Sequence, residues 1–557
     1  MNSDHLLNWF ERISSSPDSA NRFRHFIVDL AIRGKLVKQN ENDEPAAELL
    51  SRIGLDFKNI LLSENPPFPI PANWAWTSLS HIGTISPRND APDHIQASFV
   101  PMNLIEAKYG VEHGQQLRFW GDIKKAFTHF AAGDVGLAKI TPCFQNGKST
   151  VFRDLANGIG AGTTELLVVR PILVNPDYIL AFLKSSTFIQ NGIPHMTGTA
   201  GQKRVPRAYF EGAPFPLPPL EEQYRIIAKL SELLTLCDEL ELAQQERERR
   251  RDRLVAATLH ALANRRSFDN RSTESHSDPA RFYINHLPHL TTRPEHLNGF
   301  RASVLALGFR GRLVQQERGD TPASETVLKV SSSSVDIKCT GEKTATVGPH
   351  DLPEGWVWAR FPELGKFARG KSKHRPRGDS MLFTDGMYPF VQTGDVARSG
   401  GIIRNFTGKY NGAGLAQSAM WPKGTMCITI AANIADTGVL QFDACFPDSI
   451  VGFVPDRLFP EVRYFEYFMR TAKANLMEYA PATAQKNINL GILEELAVPI
   501  APVEEQIRIV AKINSLFEIC DELESVLSET TRSRSLLLES LLYEALKPSE
   551  ASLNVGI

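Results

Sequence analysis

The chain has 557 residues, 42% hydrophobic and 22% charged, with a formal net charge of −2. These fractions are ordinary for a soluble protein, and the length predicts three or four domains. The near-neutral balance excludes a generally basic nucleic-acid binder, so any such surface must be local or completed by partners. Six cysteines (Cys143, Cys237, Cys339, Cys427, Cys445 and Cys520) form no CxxC pair and no zinc spacing. They read as free thiols of a reducing cytoplasm. The N-terminal MNSDHLLNWFERI lacks a signal-peptide pattern, and no apolar run is long enough to cross a bilayer. The expected location is therefore cytoplasmic, with no membrane partner.

In chain order, Phe23 to Gln39 reads FRHFIVDLAIRGKLVKQ, with helical spacing of Phe26, Ile27, Leu30 and Ala31 and an exit at Gly34. From Phe300 the chain reads FRASVLALGFRGRLVQQ, the same element again, with Arg33-Gly34 matching Arg310-Gly311. Each copy is followed by a polar stretch and then by a proline and a tryptophan pair, PANWAW (Trp74, Trp76) and PEGWVW (Trp356, Trp358). Strand-rich segments follow, with β-branched runs such as LLVVR and MCITI broken by Gly and Pro. They are less alike than their flanks, as expected of domains that recognise different things. Then come LEEQYRIIAKLSELLTLCDELE (from Leu220) and VEEQIRIVAKINSLFEICDELE (from Val503).

Those last two stretches organise the chain. A proline (Pro219 or Pro502) and two glutamates suit a helix start. Apolar residues then recur at four and three spacing: Ile226, Leu230, Leu233, Cys237 and Leu240, and Ile509, Ile513, Leu516, Cys520 and Leu523. This predicts a coiled-coil seam on helices of roughly 60–65 Å, each packing on the other. Such internal duplication implies pseudo-two-fold symmetry within one chain.

The expected domains are residues 1–65, a helical region and linker; 66–216, the first globular domain; 217–265, a long helix; 266–351, a connection with the repeated short helix at about 296–316; 352–501, the second globular domain; 502–548, the other long helix; and 549–557, a tail. The fold class is α+β, with two mixed α/β domains joined by long antiparallel helices. Arg265 to Pro294 and the polar stretch from Ser331 to His350 read as exposed linkers.

Catalytic signals are weak. NPPF at Asn65–Phe68 has the form of the turn by which amino-methyltransferases hold a flipped base. It lies in a proline run that favours an extended linker, and no Gly-rich cofactor loop or Walker A pattern accompanies it. A self-contained DNA adenine methyltransferase is the alternative that rests on it, and a coiled-coil scaffold without a DNA role is a third. Basic patches carry more. RGKSKHRPR supplies Arg369, Lys371, Lys373, Arg375 and Arg377 in a loop-like stretch, and the other half supplies Gln202, Lys203, Arg204 and Arg207. Gln202-Lys203 recurs as Gln485-Lys486, followed by Asn487, at the offset of the long helices. These residue types meet phosphates and base edges.

The whole pattern resembles the specificity subunit of type I restriction–modification systems. PLPPLEEQYRIIAKLSELLTLCDELE and its repeat, the FRHFIVDLAIRGKLV/FRASVLALGFRGRLV pair and AKITPCFQNGK (with Lys139 and Lys148) carry the resemblance, which covers nearly the whole chain. It implies two target recognition domains, each reading half of a split site in double-stranded DNA. It also implies long helices that pack antiparallel and dock two modification (methyltransferase) subunits, in a complex with restriction/translocase subunits. Catalysis and its S-adenosylmethionine, ATP and Mg would belong to those partners, with no enzyme activity or cofactor in this chain.

Overall fold

The computed structural model describes residues 14–546 apart from 15, 17, 55–65, 200, 265–281, 284, 334–347, 375, 377, 432 and 479–487. Most of the two expected linkers and the tail therefore lie outside the described residues. The chain divides into two compact units, Met1–Glu248 with Thr530–Ile557, and Arg249–Glu529. No described helix is long and apolar enough to cross a membrane.

Two helices exceed all others, Leu220–Asn264 and Val503–Leu546. Each carries its paired glutamates in the first turn, where they meet the helix dipole favourably. The chain enters each helix through an antiparallel ribbon: Ala75–Thr77 pairs with Phe215–Leu217, and Val357–Arg360 with Ala497–Ile500. Gln223 then seals the first helix start, donating to Pro218 O at 3.0 Å and accepting from Asn175 N–H at 2.8 Å. Gln506 donates to Ala501 O at 2.8 Å in the second.

Beside each helix start lies a buried junction. The indole N–H of Trp74 donates to Glu222 at 3.0 Å, and that of Trp356 to Glu505 at 3.0 Å. Arg225 clamps Asp43 and Arg508 clamps Asp320, each at 2.5 Å. Gly34 (φ +66) and Gly311 (φ +64) turn the chain left-handed against Pro71 and Pro353. An added Cβ there would come within 2.4 and 2.3 Å of the proline rings, so only glycine fits both the turn and the approach.

The globular segments share one topology. Numbered one to eight in chain order, the first has strands Gly83–Ile85, Gln96–Val100, Gln116–Phe119, Thr128–Ala131, Val135–Ala138, Ser149–Val151, Ile159–Gly162 and Leu166–Pro171. They form two sheets of spatial order 1-8-5-6 and 3-2-7-4. The second has Gly365–Arg369, Tyr388–Phe390, Gly408–Tyr410, Met420–Trp421, Met426–Thr429, Thr437–Leu440, Ala444–Cys445 and Ile450–Pro455, in the same two orders. It adds one edge strand, Ile402–Ile403, beside the sixth. A helix rich in apolar residues, Pro176–Lys184 or Val462–Glu478, follows the eighth strand. Its tyrosine bonds back to the ribbon: Tyr178 to Pro216 O at 2.8 Å, and Tyr464 to Pro499 O at 2.7 Å.

The seam residues have partners that the heptad spacing does not specify. Ile226 is fully buried in the first unit's main core, while Leu230 and Leu234 pack with Val28 of the short helix Ser19–Ile32 and with Ala181. Ile509, Ile513 and Leu516 join the second unit's core with Val304 and Leu305 of the short helix Pro294–Gly308. A seam needs a complementary apolar face, and here a short helix and the globular domain provide one. Cys237 and Cys520 are buried, and burial pushes both thiols up, as suits packing rather than nucleophilic roles. Leu233, Leu240 and Leu523 are half-buried.

Each short helix also meets the far end of the other half's long helix. In the first unit Phe23 and Phe26 pack with Leu538 and Leu542, and Arg22 bonds to Ser535 O and Glu539. In the second, Phe300 packs with Val255 and Leu259, and Arg251 donates to His289 O. Arg24 bridges Asp238 and Glu241, and Arg301 bridges Asp521 and Glu524. Every member of the two triads occupies a matched position in the repeat.

Candidate nucleic-acid interface

In the first unit, the connection between the fifth and sixth strands carries Lys139 and Lys148 at its two ends, joined where Ala138 N–H donates to Lys148 O at 2.9 Å. A small hairpin with Gln202, Lys203 and Arg204 lies against it. Thr197 and Arg204 exchange backbone bonds at 3.0 and 2.8 Å, and Thr141 N–H donates to Lys203 O at 2.9 Å. Residues that are far apart in sequence thus meet at one end of the domain.

The structure separates these cations by their partners. Arg204 forks onto Glu165 at 2.8–3.1 Å and holds that carboxyl below its usual range. Arg207 pairs with Glu211 at 2.6 Å. Glu165 and Glu211 thus share the charge of Arg204 and Arg207. Lys203 and Gln202 are exposed, and their side chains make no hydrogen bond or ion pair among the described residues. Lys148 reaches Met102 O at 3.5 Å.

Sequence reasoning missed Lys184. It ends the apolar helix Pro176–Lys184, buried, and donates to the carbonyls of Glu106, Ala107 and Gly147 at 3.2, 2.8 and 3.1 Å. An ammonium has three protons, and all three are placed. Burial pushes its pKa down to about 7, the Glu106 carboxylate opposing the fall and the Lys148 charge adding to it. Lys184 thereby ties the strand five-to-six connection to the loop between the second and third strands. A lone lysine closing PDYILAFLK was the available signal. In the second unit Arg463 and Arg470 of the equivalent helix hold Gly401 O and Gly400 O at 3.0 and 2.8 Å.

The other candidate surface of the second unit is the end of its first strand and the loop that follows. Arg369, Lys371 and Lys373 are exposed there, while Arg375 and Arg377 lie outside the described residues, as do Gln485, Lys486 and Asn487. The start of the loop is anchored. The Gln417 side-chain oxygen accepts from the N–H groups of Lys373 and His374 at 2.6 and 3.0 Å, and Ser418 donates to Lys371 O at 2.8 Å. His374 meets Asp379 at 2.9 Å and holds its carboxyl below the usual range.

The NPPF stretch does not form a site that the described residues support. Asn65 lies outside them, and Phe68 is buried in the first unit's core, edge-on to Trp76 at 5.0 Å and under the Arg33 guanidinium at 4.7 Å. No cluster of His, Cys, Asp or Glu with metal-holding geometry occurs among the described residues.

Residues 353–530 match the family described as type I restriction modification DNA specificity domain. The type I restriction enzyme EcoAI specificity subunit of Escherichia coli is 31% identical, with 94% of this chain and 93% of that protein covered. This chain belongs to the type I specificity subunits. The Escherichia coli EcoEI specificity subunit is similar at 32% identity over the same shares of both chains. Among solved structures, a chain from work on complex assembly and conformational transition of the type I R-M system aligns with a TM-score of 0.51 at 18% identity. It covers 86% of this chain and 99% of that one, a likeness of fold. The general role of this specificity subunit is therefore DNA recognition.

Proposed function

We propose that each globular domain reads one half of a bipartite DNA site and that the two long helices set the distance between the halves. The observation that carries this reading is the exchange of helix ends. The first long helix begins in one unit and finishes among residues of the other, and the second does the reverse. The matched repeat in the sequence supports antiparallel helices in a pseudo-two-fold frame, with one recognition domain for each helix. Phosphate contacts position each domain and a few side chains read bases. Half-sites then fall about one helical turn apart on one face of the duplex.

In this reading the chain is a non-catalytic subunit. Two modification subunits dock on the helical frame and transfer the methyl group to adenine, and restriction/translocase subunits use ATP. The near-neutral charge supports a chain that holds DNA with help from those partners.

The test is methylome sequencing of a host expressing the chain with its modification subunit, against a strain lacking the chain. A split motif of methylated adenine that vanishes on deletion is the expected result. An assembled complex with no change in methylation would sink the reading. Inserting residues at matched points of both helices should lengthen the spacer and leave each half-site alone. An unchanged spacer would refute the ruler.

A further inference from the structure

Each short helix makes two joints, one with its own half's long helix and one with the far end of the other. The first joint is the same in both halves: Arg24 meets Asp238 and Glu241 as Arg301 meets Asp521 and Glu524. At the far end the apolar contact repeats as well, Phe23 with Leu538 and Leu542, and Phe300 with Val255 and Leu259. The polar rim around that contact does not.

Ser16 and Arg293 stand seven residues before the phenylalanine, and Ser535 and Asp252 stand three before its first apolar partner. In the first unit these positions make a neutral contact, Ser16 Oγ to Ser535 Oγ at 3.3 Å. In the second they make an ion pair, Arg293 with Asp252, and His296 bonds the same carboxylate at 2.9 Å. Those two neighbours hold the Asp252 carboxyl below its usual range. The adjoining positions invert the pattern. Arg22 pairs with Glu539 at 3.3 Å in the first unit, where the second has Gly299 and Ala256. Because Ser16–Ser535 and Arg293–Asp252 are matched pairs in contact in both units, the two far-end joints share one register.

That register shows what an exchange of partners would do. The apolar contact would accept either long helix, since both offer the same spacing to the same phenylalanine. The first short helix on the end of the first long helix would set Ser16 and Ser19 against Asp252, and Arg22 against Ala256. The second short helix on the end of the second would set Arg293 and His296 against Ser535, and Gly299 against Glu539. Both exchanged joints lose these ion pairs, and the buried His296 loses its carboxylate. Exposed ion pairs each contribute modestly, but an exchange removes all of them together. A like-with-like joint also needs a second copy of the chain. Ser19, at the place of His296, already accepts from Gln244 of its own long helix at 3.1 Å, and Asp252 lies eight residues, about 12 Å, beyond it.

We propose that the unlike polar rims select the partner of each far-end joint, so that the end of the first long helix accepts the second short helix and rejects a copy of the first. The chain thereby closes on itself, with its two different globular domains in one molecule, and does not exchange halves with a second copy. Charged residues flanking an apolar seam set partner choice in paired helices by the same means. The selection does not depend on what the domains bind.

The test co-expresses two differently tagged full-length chains without other subunits and captures one tag. Wild type should carry over little of the second tag. A variant with both rims made neutral, Asp252→Ser, Arg293→Ser, His296→Ser, Arg22→Ala and Glu539→Ala, keeps both apolar contacts and should carry over about tenfold more. Asp252→Arg alone, which sets like charges together, should also raise carry-over, and adding Arg293→Asp in the same chain should return it to the wild-type level. That reversed pair decides the matter even if the neutral variant does not fold. Wild-type carry-over equal to that of the neutral variant would overturn the selection. So would an Asp252→Arg/Arg293→Asp chain that exchanges as freely as Asp252→Arg.

Discussion

The two halves agree where the chain is handed from domain to helix and disagree where the domain meets its surroundings. Trp74–Glu222 and Trp356–Glu505 have equal lengths of 3.0 Å, and the Arg225–Asp43 and Arg508–Asp320 clamps match as closely. Away from the junction, one buried lysine ties two loops together in the first domain, whereas two part-exposed arginines of the equivalent helix hold the loop after the second strand in the other. The difference teaches that duplication preserved the frame, where buried polar groups leave no freedom, and released the connections at the sheet ends.

The comparison breaks most visibly at Lys184. Lys184→Met leaves carbonyls without donors and should cost about 2–4 kcal/mol. Arg470→Met, at a more exposed site, should cost about 1 kcal/mol. Thermal melts of the full chain, with hydrogen exchange to localise the loss, would check this. Equal effects would remove the contrast between the domains.

Next come the junction tryptophans. Trp74→Phe and Trp356→Phe each delete an N–H donor to a buried carboxylate and should each cost about 1.5–3 kcal/mol. Denaturant melts differing by much more than about 0.5 kcal/mol between the two variants would deny that the junctions are equivalent. Gly34→Ala and Gly311→Ala should each cost about 1–2 kcal/mol for the left-handed backbone alone, with crowding on the proline added. The pair should again be matched.

The smallest effect is a pH dependence. Burial holds the carboxyls of Glu222 and Glu505 above their ordinary range, although indole and arginine neighbours pull the other way. A folded-state pKa above the unfolded one means that folding takes up a proton. As pH falls through the raised pKa toward the ordinary carboxylate range, wild type should gain stability relative to Glu222→Gln and Glu505→Gln, then level off. Paired melts at neutral and mildly acidic pH would show it, and a gain in the opposite direction would refute the assignment.

Much of the frame was legible before any coordinates. The long helices follow from proline, paired glutamates and apolar spacing, and these are local signals. The candidate site was half legible. Basic residues are visible in a sequence, but Glu165 and Arg204 lie 39 positions apart, so their pairing is not. Lys184 was visible as a lone lysine in an apolar run, but its three carbonyl partners, in two distant loops, were not. The NPPF stretch has the letters of a base-holding turn, yet Phe68 is spent on the core.

By itself, the sequence determined that the chain is a duplication with two long helices and less similar segments between them, because repetition and helical period need no partner to be read. Tertiary structure alone decided that those dissimilar segments share one strand order, 1-8-5-6 with 3-2-7-4. It also decided that the seam of each long helix faces a short helix and a globular core. An apolar stripe says only that it must be buried, and what buries it depends on residues that only folding brings near.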